Sequence, residues 1–256
     1  MFAFLFTSAL KDFARARRII PWIIVLVGVG AIGVAWKSLD TSRAMDEVYG
    51  ELSSVLLFRI LALCSAIFTT AIVSQEVEQK TISYLLTRPI KRRDLLLARY
   101  AAACVVVFGL GIFGAISLSI GVYGSNFASN PILMRDVMGM AFGTAAYGAV
   151  FLLVSLFINR AMLVCLLYAF GWETAIPNMP GELYYTSIFS YTQAIAQHPS
   201  APGGNALLGL LSGEMGINTL SKSTAMTGLA VFSVLCCALA AWWFTQFEYV
   251  PREDAE

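Results

Sequence analysis

Charge is what this sequence has least of. Asp, Glu, Lys and Arg make up 13% of its 256 residues, against 58% hydrophobic residues and a mean hydropathy of +0.74. A soluble globular domain carries about 25% charged residues, so the deficit excludes one and puts most of the chain against lipid or other membrane helices. The net charge is only +1, and no nucleic-acid partner is expected. Histidine is nearly absent. The one copy, His198, falls in a loop with no Asp or second His at useful spacing, so it reads as solvated and catalysis is not expected. The five cysteines (Cys64, Cys104, Cys165, Cys236, Cys237) form no C-x-x-C and no Cys/His cluster. They fall inside apolar stretches, where free Cys behaves as a small apolar residue, and no metal or other cofactor is expected. There is no G-x-x-x-x-G-K-[ST] phosphate loop and no polar segment large enough for a nucleotide-binding domain. A signal peptide is excluded by order, because Phe2, Phe4, Leu5 and Phe6 precede Arg15, Arg17 and Arg18, the reverse of the usual polarity.

Long apolar runs are what is present. About 20 apolar residues cross roughly 30 Å of hydrocarbon. Six stretches approach that length, at 19–36, 52–73, 97–122, 137–158, 161–176 and 224–247. The fifth is the shortest and runs into Pro177, Pro180 and Gly181. Backbone polar groups in lipid must be satisfied within the segment, which predicts helices and an all-α polytopic membrane protein. Lys and Arg gather on alternate flanks. Lys11, Arg15, Arg17, Arg18, Lys80, Arg88, Lys91, Arg92, Arg93, Arg99, Arg160 and Arg252 lie on one set, while Lys37, Arg43, Arg135 and Lys222 lie on the other. The positive-inside rule then places both termini in the cytoplasm of a multi-pass protein of the cell's inner membrane. Residues 1–18 read as an amphipathic helix lying in the inner interface, since their aromatic residues need an apolar surface. Trp36, Trp172, Trp242 and Trp243 fall near span ends, as interfacial belts do.

The whole chain, 1–256, reads as one transmembrane domain. Its longest segment between spans, 177–223, holds apolar runs punctuated by Pro199, Pro202, Gly203 and Gly204, which predicts short helices that cap the bundle or dip into its outer leaflet before span six. Glycines cluster in span three (Gly109, Gly111, Gly114) and span four (Gly139, Gly143, Gly148), a pattern either of close helix packing within one protomer or of a route for substrate. Two ionisable residues lie inside spans. Arg59 is about seven residues, or roughly 10 Å, inside the outer end of span two, and Glu173 is at a comparable level in span five. Either they share one polar cluster at an outer gate beside Trp172, or each reaches water on its own.

The polar strip 74–96 between spans two and three opens acidic and closes basic. It should form a short helix, a break at the residue before Pro89, and a second helix beginning near Pro89. Such an elbow is a stiff inner projection on which Leu85 and Ile90 could fill a partner's groove. Anchoring to anionic headgroups, worth about 1 kcal/mol per basic residue, accounts for Arg92 and Arg93 but not for Glu76 and Glu78.

The pattern Glu76-x-Glu78-x-x-Thr81-x-x-x-Leu85-x-x-Arg88-Pro89-x-x-Arg92, continuing to Arg99-Tyr100, resembles a signature of the permeases of type-2 ATP-binding-cassette transporters. So does Trp172-Glu173 at the outer end of span five with Pro180-Gly181 beyond it. The six-span plan, the interfacial N-terminal helix and the extended outer segment are similar too. The resemblance implies a cytoplasmic coupling helix between spans two and three. It implies ATPase-docking residues at Glu76, Glu78, Thr81, Leu85, Thr87, Arg88, Pro89, Ile90 and Arg92. It further implies two copies of a separate cytoplasmic ABC ATPase subunit, a second permease copy (identical or related) and, as the direction of transport, export. The chain itself is then not an enzyme. Two alternatives stand beside this reading. One is a permease-like subunit that passes ATPase motion to an extracytoplasmic accessory protein without moving substrate. The other is an ion-coupled secondary transporter, which would show ionisable or broken helices near the midplane. The substrate is not legible in the residues.

Overall fold

In the computed structural model, the described residues are 2–39, 43–78, 92–158, 160–178, 182–198 and 220–246. They form an all-helical bundle. Helix α1 (Phe2–Phe13) stops at Ala14–Arg15, and α2 (Ala16–Leu39) begins directly after it. The N-terminal helix is therefore separate from span one rather than an extension of it. It packs along α5 (Arg92–Tyr123), burying Ala9 and Phe13, with the Phe13 ring edge-on to Phe68 at 6.2 Å. Phe2 and Phe4 on its other face are exposed, as an amphipathic interfacial helix requires.

Span two is longer than its apolar run. Helix α3 (Met45–Leu52) precedes a π-helical turn (Ser53–Leu57), which leads into α4 (Phe58–Glu78). The extra turns carry Asp46, Glu47 and Glu51 and are invisible to a hydropathy window, yet Val48, Tyr49 and Leu52 are buried there. Helix α6 (Leu133–Phe157) is the hub of the bundle and touches α4, α5, α7 (Ala161–Leu167), α8 (Ile188–Ala196) and α9 (Lys222–Gln246).

Small residues permit this packing. A Cβ on Gly121 of α5 would run into the backbone carbonyl of Gly30 of α2, so the two helices cross nearly backbone to backbone. On α6, Gly143 faces Thr192 of α8, where an added Cβ would sit 2.8 Å from Thr192 Cγ2. Gly121 and Gly143 thus serve helix approach within one protomer, whereas a Cβ on Gly109 would meet nothing within 4 Å.

Among the described residues, five helical stretches can cross a membrane by length and composition, namely Ala16–Leu39, Met45–Ile72, Arg93–Ala128, Leu133–Phe157 and Lys222–Gln246. The expected fifth span is the shorter apolar helix Ala161–Ala175. At 1.5 Å per residue it reaches only about 22 Å, less than the roughly 30 Å of hydrocarbon. It contains a second π-helical turn (Tyr168–Trp172), then Glu173–Ala175 and a 3-10 turn (Ile176–Asn178). A further 3-10 turn (Glu182–Thr186) leads into α8. The predicted short helices ahead of span six are therefore present. The stretch holding Pro199, Pro202, Gly203 and Gly204 lies outside the described residues.

Candidate functional site: a buried carboxylate beneath a short helix

Helix α8 is nine residues long and buries all of them except Tyr191. It is wedged between α6 and α9 at the end of the bundle where α4 begins, opposite the end at which α4 stops at Glu78, and is here called the distal end. A helix start leaves orphan N–H groups, and burial makes them costly unless an acceptor is at hand. Here Ser187 is the N-cap, its Oγ accepting from Ser190 N at 3.2 Å. The remaining donors go to one side chain. Glu173 Oε1 accepts from Ile188 N at 3.0 Å, and Oε2 accepts from Phe189 N at 2.9 Å and from Ser187 Oγ at 2.6 Å. Glu173 is 1% exposed. A carboxylate at a helix N-terminus is stabilised by the helix dipole as well as by the hydrogen bonds.

Arg59 completes the cluster from span two. Its Nη1 donates to the backbone carbonyl of Glu173 at 2.7 Å and to Thr174 Oγ1 at 3.1 Å. Its guanidinium lies 4.1 Å from the centre of the Phe189 ring, a cation–π contact. Of the two expectations for these residues, a shared cluster and separate routes to water, the geometry matches the first. The contact differs from a plain ion pair in that the Glu173 backbone carries the short hydrogen bond from Arg59. Trp172 makes no hydrogen bond to the cluster among the described residues and is 43% exposed.

Both ionisable residues lie just beyond a π-helical turn, Arg59 two residues after Ser53–Leu57 and Glu173 immediately after Tyr168–Trp172. A π turn inserts one residue per turn and rotates the helix beyond it, and such turns concentrate at functional sites. Nothing in the local composition announces either one.

His198 departs from its sequence reading. Its side chain is 6% exposed rather than solvated, and its Nε2 lies 2.6 Å from Oδ1 of Asp136, which is fully buried. Nδ1 faces Gln193 Oε1 at 2.9 Å, Phe58 lies edge-on to the ring, and Ser53 Oγ donates to the other Asp136 oxygen. The partners are 62 residues apart in the chain, which is why spacing concealed them. This is no catalytic triad, because the serine bonds the carboxylate and not the imidazole. Among the described residues, no group of three or more His, Cys, Asp or Glu is placed to hold a metal. Above the cluster, Tyr184 donates weakly to the Ser190 carbonyl at 3.4 Å, and burial pushes its phenol up to about 12, so it remains a neutral donor.

The other predicted site is only partly visible. Thr81, Leu85, Thr87, Arg88, Pro89 and Ile90 fall outside the described residues. Glu76 and Glu78 stand in the last turns of α4, and Arg92 opens α5.

A family model described as ABC-2 family transporter protein matches residues 13–172. The match covers more than half of the chain, from the end of α1 to the residue before Glu173. No curated protein matches the chain significantly. With an all-helical apolar bundle and this match over most of its spans, the chain belongs to the ABC-2 family of transporter proteins, as a membrane-spanning permease subunit.

Proposed function

We propose that this permease is one half of an ATP-driven exporter. The inner elbow at 74–96 receives force from a separate ATPase subunit, and α8 with its Glu173–Arg59 mount is the distal gate. Two permease copies and two ATPase copies make up the working unit, with both termini in the cytoplasm. The observation that carries the gate is the capped N-terminus of α8, a helix start buried deep in the bundle. It is held by a carboxylate from span five whose backbone is in turn gripped by an arginine from span two. Span two also runs straight into the elbow. A displacement of α4 by the ATPase therefore reaches Arg59, and through it the mount of α8, along one helix.

The inner elbow is read from Glu76, Glu78, Thr81, Leu85, Thr87, Arg88, Pro89, Ile90 and Arg92, and its support is the family signature those residues carry. Export rather than import rests on the resemblance as well. The test is to co-express the chain with an ABC ATPase subunit from the same organism that co-purifies with it, reconstitute the complex in vesicles, and compare wild type with Arg88→Glu and Pro89→Gly. Loss of ATPase co-purification, or loss of lipid-stimulated ATP turnover, is expected for both variants. Full retention of both properties sinks the coupling assignment.

A further inference from the structure

Both ends of α8 are held, the start by Glu173 and the end by Gln193 through His198 to Asp136. The first hold comes from the fifth-span helix Ala161–Ala175, which is interrupted on either side of Glu173. Upstream, the Glu173 N–H reaches back five residues to the Tyr168 carbonyl, the bond of the π turn. Downstream, the N–H that would close an α-turn on the Glu173 carbonyl belongs to residue 177, and residue 177 is a proline. Proline has no N–H, and its ring crowds the carbonyl four residues back. Pro177 is buried, and the helix passes there into the 3-10 turn Ile176–Asn178. The carbonyl left without its helical donor is the one that Arg59 meets, with Nη1 at 2.7 Å. Glu173 is thereby a three-way joint. Its N–H serves its own helix, its carbonyl serves span two and its carboxylate serves α8.

We propose that Pro177 is the positioning residue of the distal mount. By withholding a backbone donor from the Glu173 carbonyl, it makes Arg59 of span two the group that closes the end of the fifth-span helix, and so turns a helix end into a link between two spans.

The demand on Arg59 follows from burial. Glu173 is 1% exposed, and a buried carbonyl without a donor is costly. In an uninterrupted helix the arginine would add a second bond to an oxygen already satisfied, since a carbonyl has two lone pairs. Beside Pro177 the same bond replaces the missing helical one, in a place water does not reach. Arg59 also donates to Thr174 Oγ1 at 3.1 Å and lies 4.1 Å from the centre of the Phe189 ring, and neither contact depends on residue 177. Two roles for the proline therefore separate. If Pro177 sets the demand, the cost of removing the Arg59 donor depends on what stands at 177. If Pro177 only ends the helix, that cost is the same whatever stands there.

The consequence for opening rests on the gate reading above, whereas the link is tested apart from it. The full chain alone, in lipid nanodiscs, is compared by hydrogen exchange over residues 173–178 in wild type, Arg59→Met, Pro177→Ala and the double variant. Methionine keeps a long side chain beside the Phe189 ring and removes the donor. Arg59→Met alone is expected to lose at least about tenfold in protection, the scale of one charge-assisted hydrogen bond. Adding Pro177→Ala supplies the missing N–H, so the double variant is expected to match Pro177→Ala within about twofold. The new amide at position 177 is a direct reporter, protected in the double variant by the Glu173 carbonyl. Equal losses on Arg59→Met in the two backgrounds overturn the proposal, and so does an unprotected amide at 177. Should Arg59→Met alone fail to fold, recovery of folded protein in the double variant is the expected result, and failure of both overturns the proposal. The gate is tested on the complex with a co-purifying ABC ATPase subunit, with a non-hydrolysable ATP analogue as the probe and exchange over 188–196 as the readout. Exchange is expected to rise in wild type when the analogue is added. A wild-type α8 that ignores the analogue while the rescue holds refutes the gate reading and leaves the link standing.

Discussion

At Glu173 a single carboxylate stands in for a turn of helix. It replaces the acceptors that the first residues of α8 lack, in a place where water cannot. Substitution by Ala leaves two buried N–H groups and the Ser187 hydroxyl without their acceptor, and at roughly 1.5–3 kcal/mol per charge-assisted bond the expected loss is several kcal/mol. Glu173→Gln keeps one acceptor oxygen and should lose about half of that. Thermal unfolding in detergent orders the two variants, and equal stabilities would refute the cap. Arg59 offers a sharper case. Its short hydrogen bond goes to the Glu173 carbonyl, which every substitution at Glu173 preserves. The Arg59→Ala and Glu173→Ala effects should therefore couple only through the charge–charge part, on the order of 1 kcal/mol in a double-mutant cycle, and not by the 3–5 kcal/mol of a directly broken buried pair. Sequence inspection finds these two residues because an ionisable group inside an apolar run is conspicuous. It misses Asp136 and His198 because Asp136 lies at the polar start of α6 and His198 in a loop, where charge and imidazole are unremarkable until the fold brings them within 2.6 Å.

The elements α6 and α8 meet through glycine, and the two contact glycines make opposite forecasts. A Cβ on Gly143 would meet the Thr192 methyl at 2.8 Å, whereas a Cβ on Gly139 would meet the Thr192 backbone carbonyl and the Phe58 ring, each at 3.2 Å. A side-chain methyl can be removed and a carbonyl cannot. Gly143→Ala should thus cost about 1–3 kcal/mol by overpacking and be largely rescued by Thr192→Ser, which drops the methyl and keeps the hydroxyl bond to the Phe189 carbonyl. Gly139→Ala should gain nothing from the same second change. Unfolding midpoints of the four variants test both statements, and rescue at both glycines would show that α8 is not seated as described. The spans are legible in the sequence to within a few residues because twenty apolar residues leave few other options. Met45–Leu52 is helical with one buried face and one acidic face, so mean hydropathy drops where the helix does not. Helix α8 is too short to register as a span. The two π turns leave no mark in composition.

For the molecule as a whole, force would enter at one end of span two and be used at the other. Residues 45–78 form one continuous helical run from the distal end to the edge of the polar strip, and Arg59 lies on it between Ser53, which bonds Asp136, and the docking strip. A single run that bonds α6 and the mount of α8 cannot shift along its axis without loading both holds on α8. This separates two classes of variant that a simple loss of transport would merge. Changes at Arg88 or Pro89 should uncouple early, with weaker association of the ATPase and no stimulated turnover. Arg59→Ala, by contrast, should retain the ATPase at wild-type affinity and hydrolyse ATP at an undiminished or raised basal rate while moving substrate at least about tenfold more slowly, the scale of one charge-assisted hydrogen bond. Co-purification, ATP turnover and vesicle transport measured side by side on the same preparations give that pattern or break it. If Arg59→Ala releases the ATPase as Arg88→Glu does, span two is not the transmitting element, and the distal polar clusters serve only to hold α8 in the bundle.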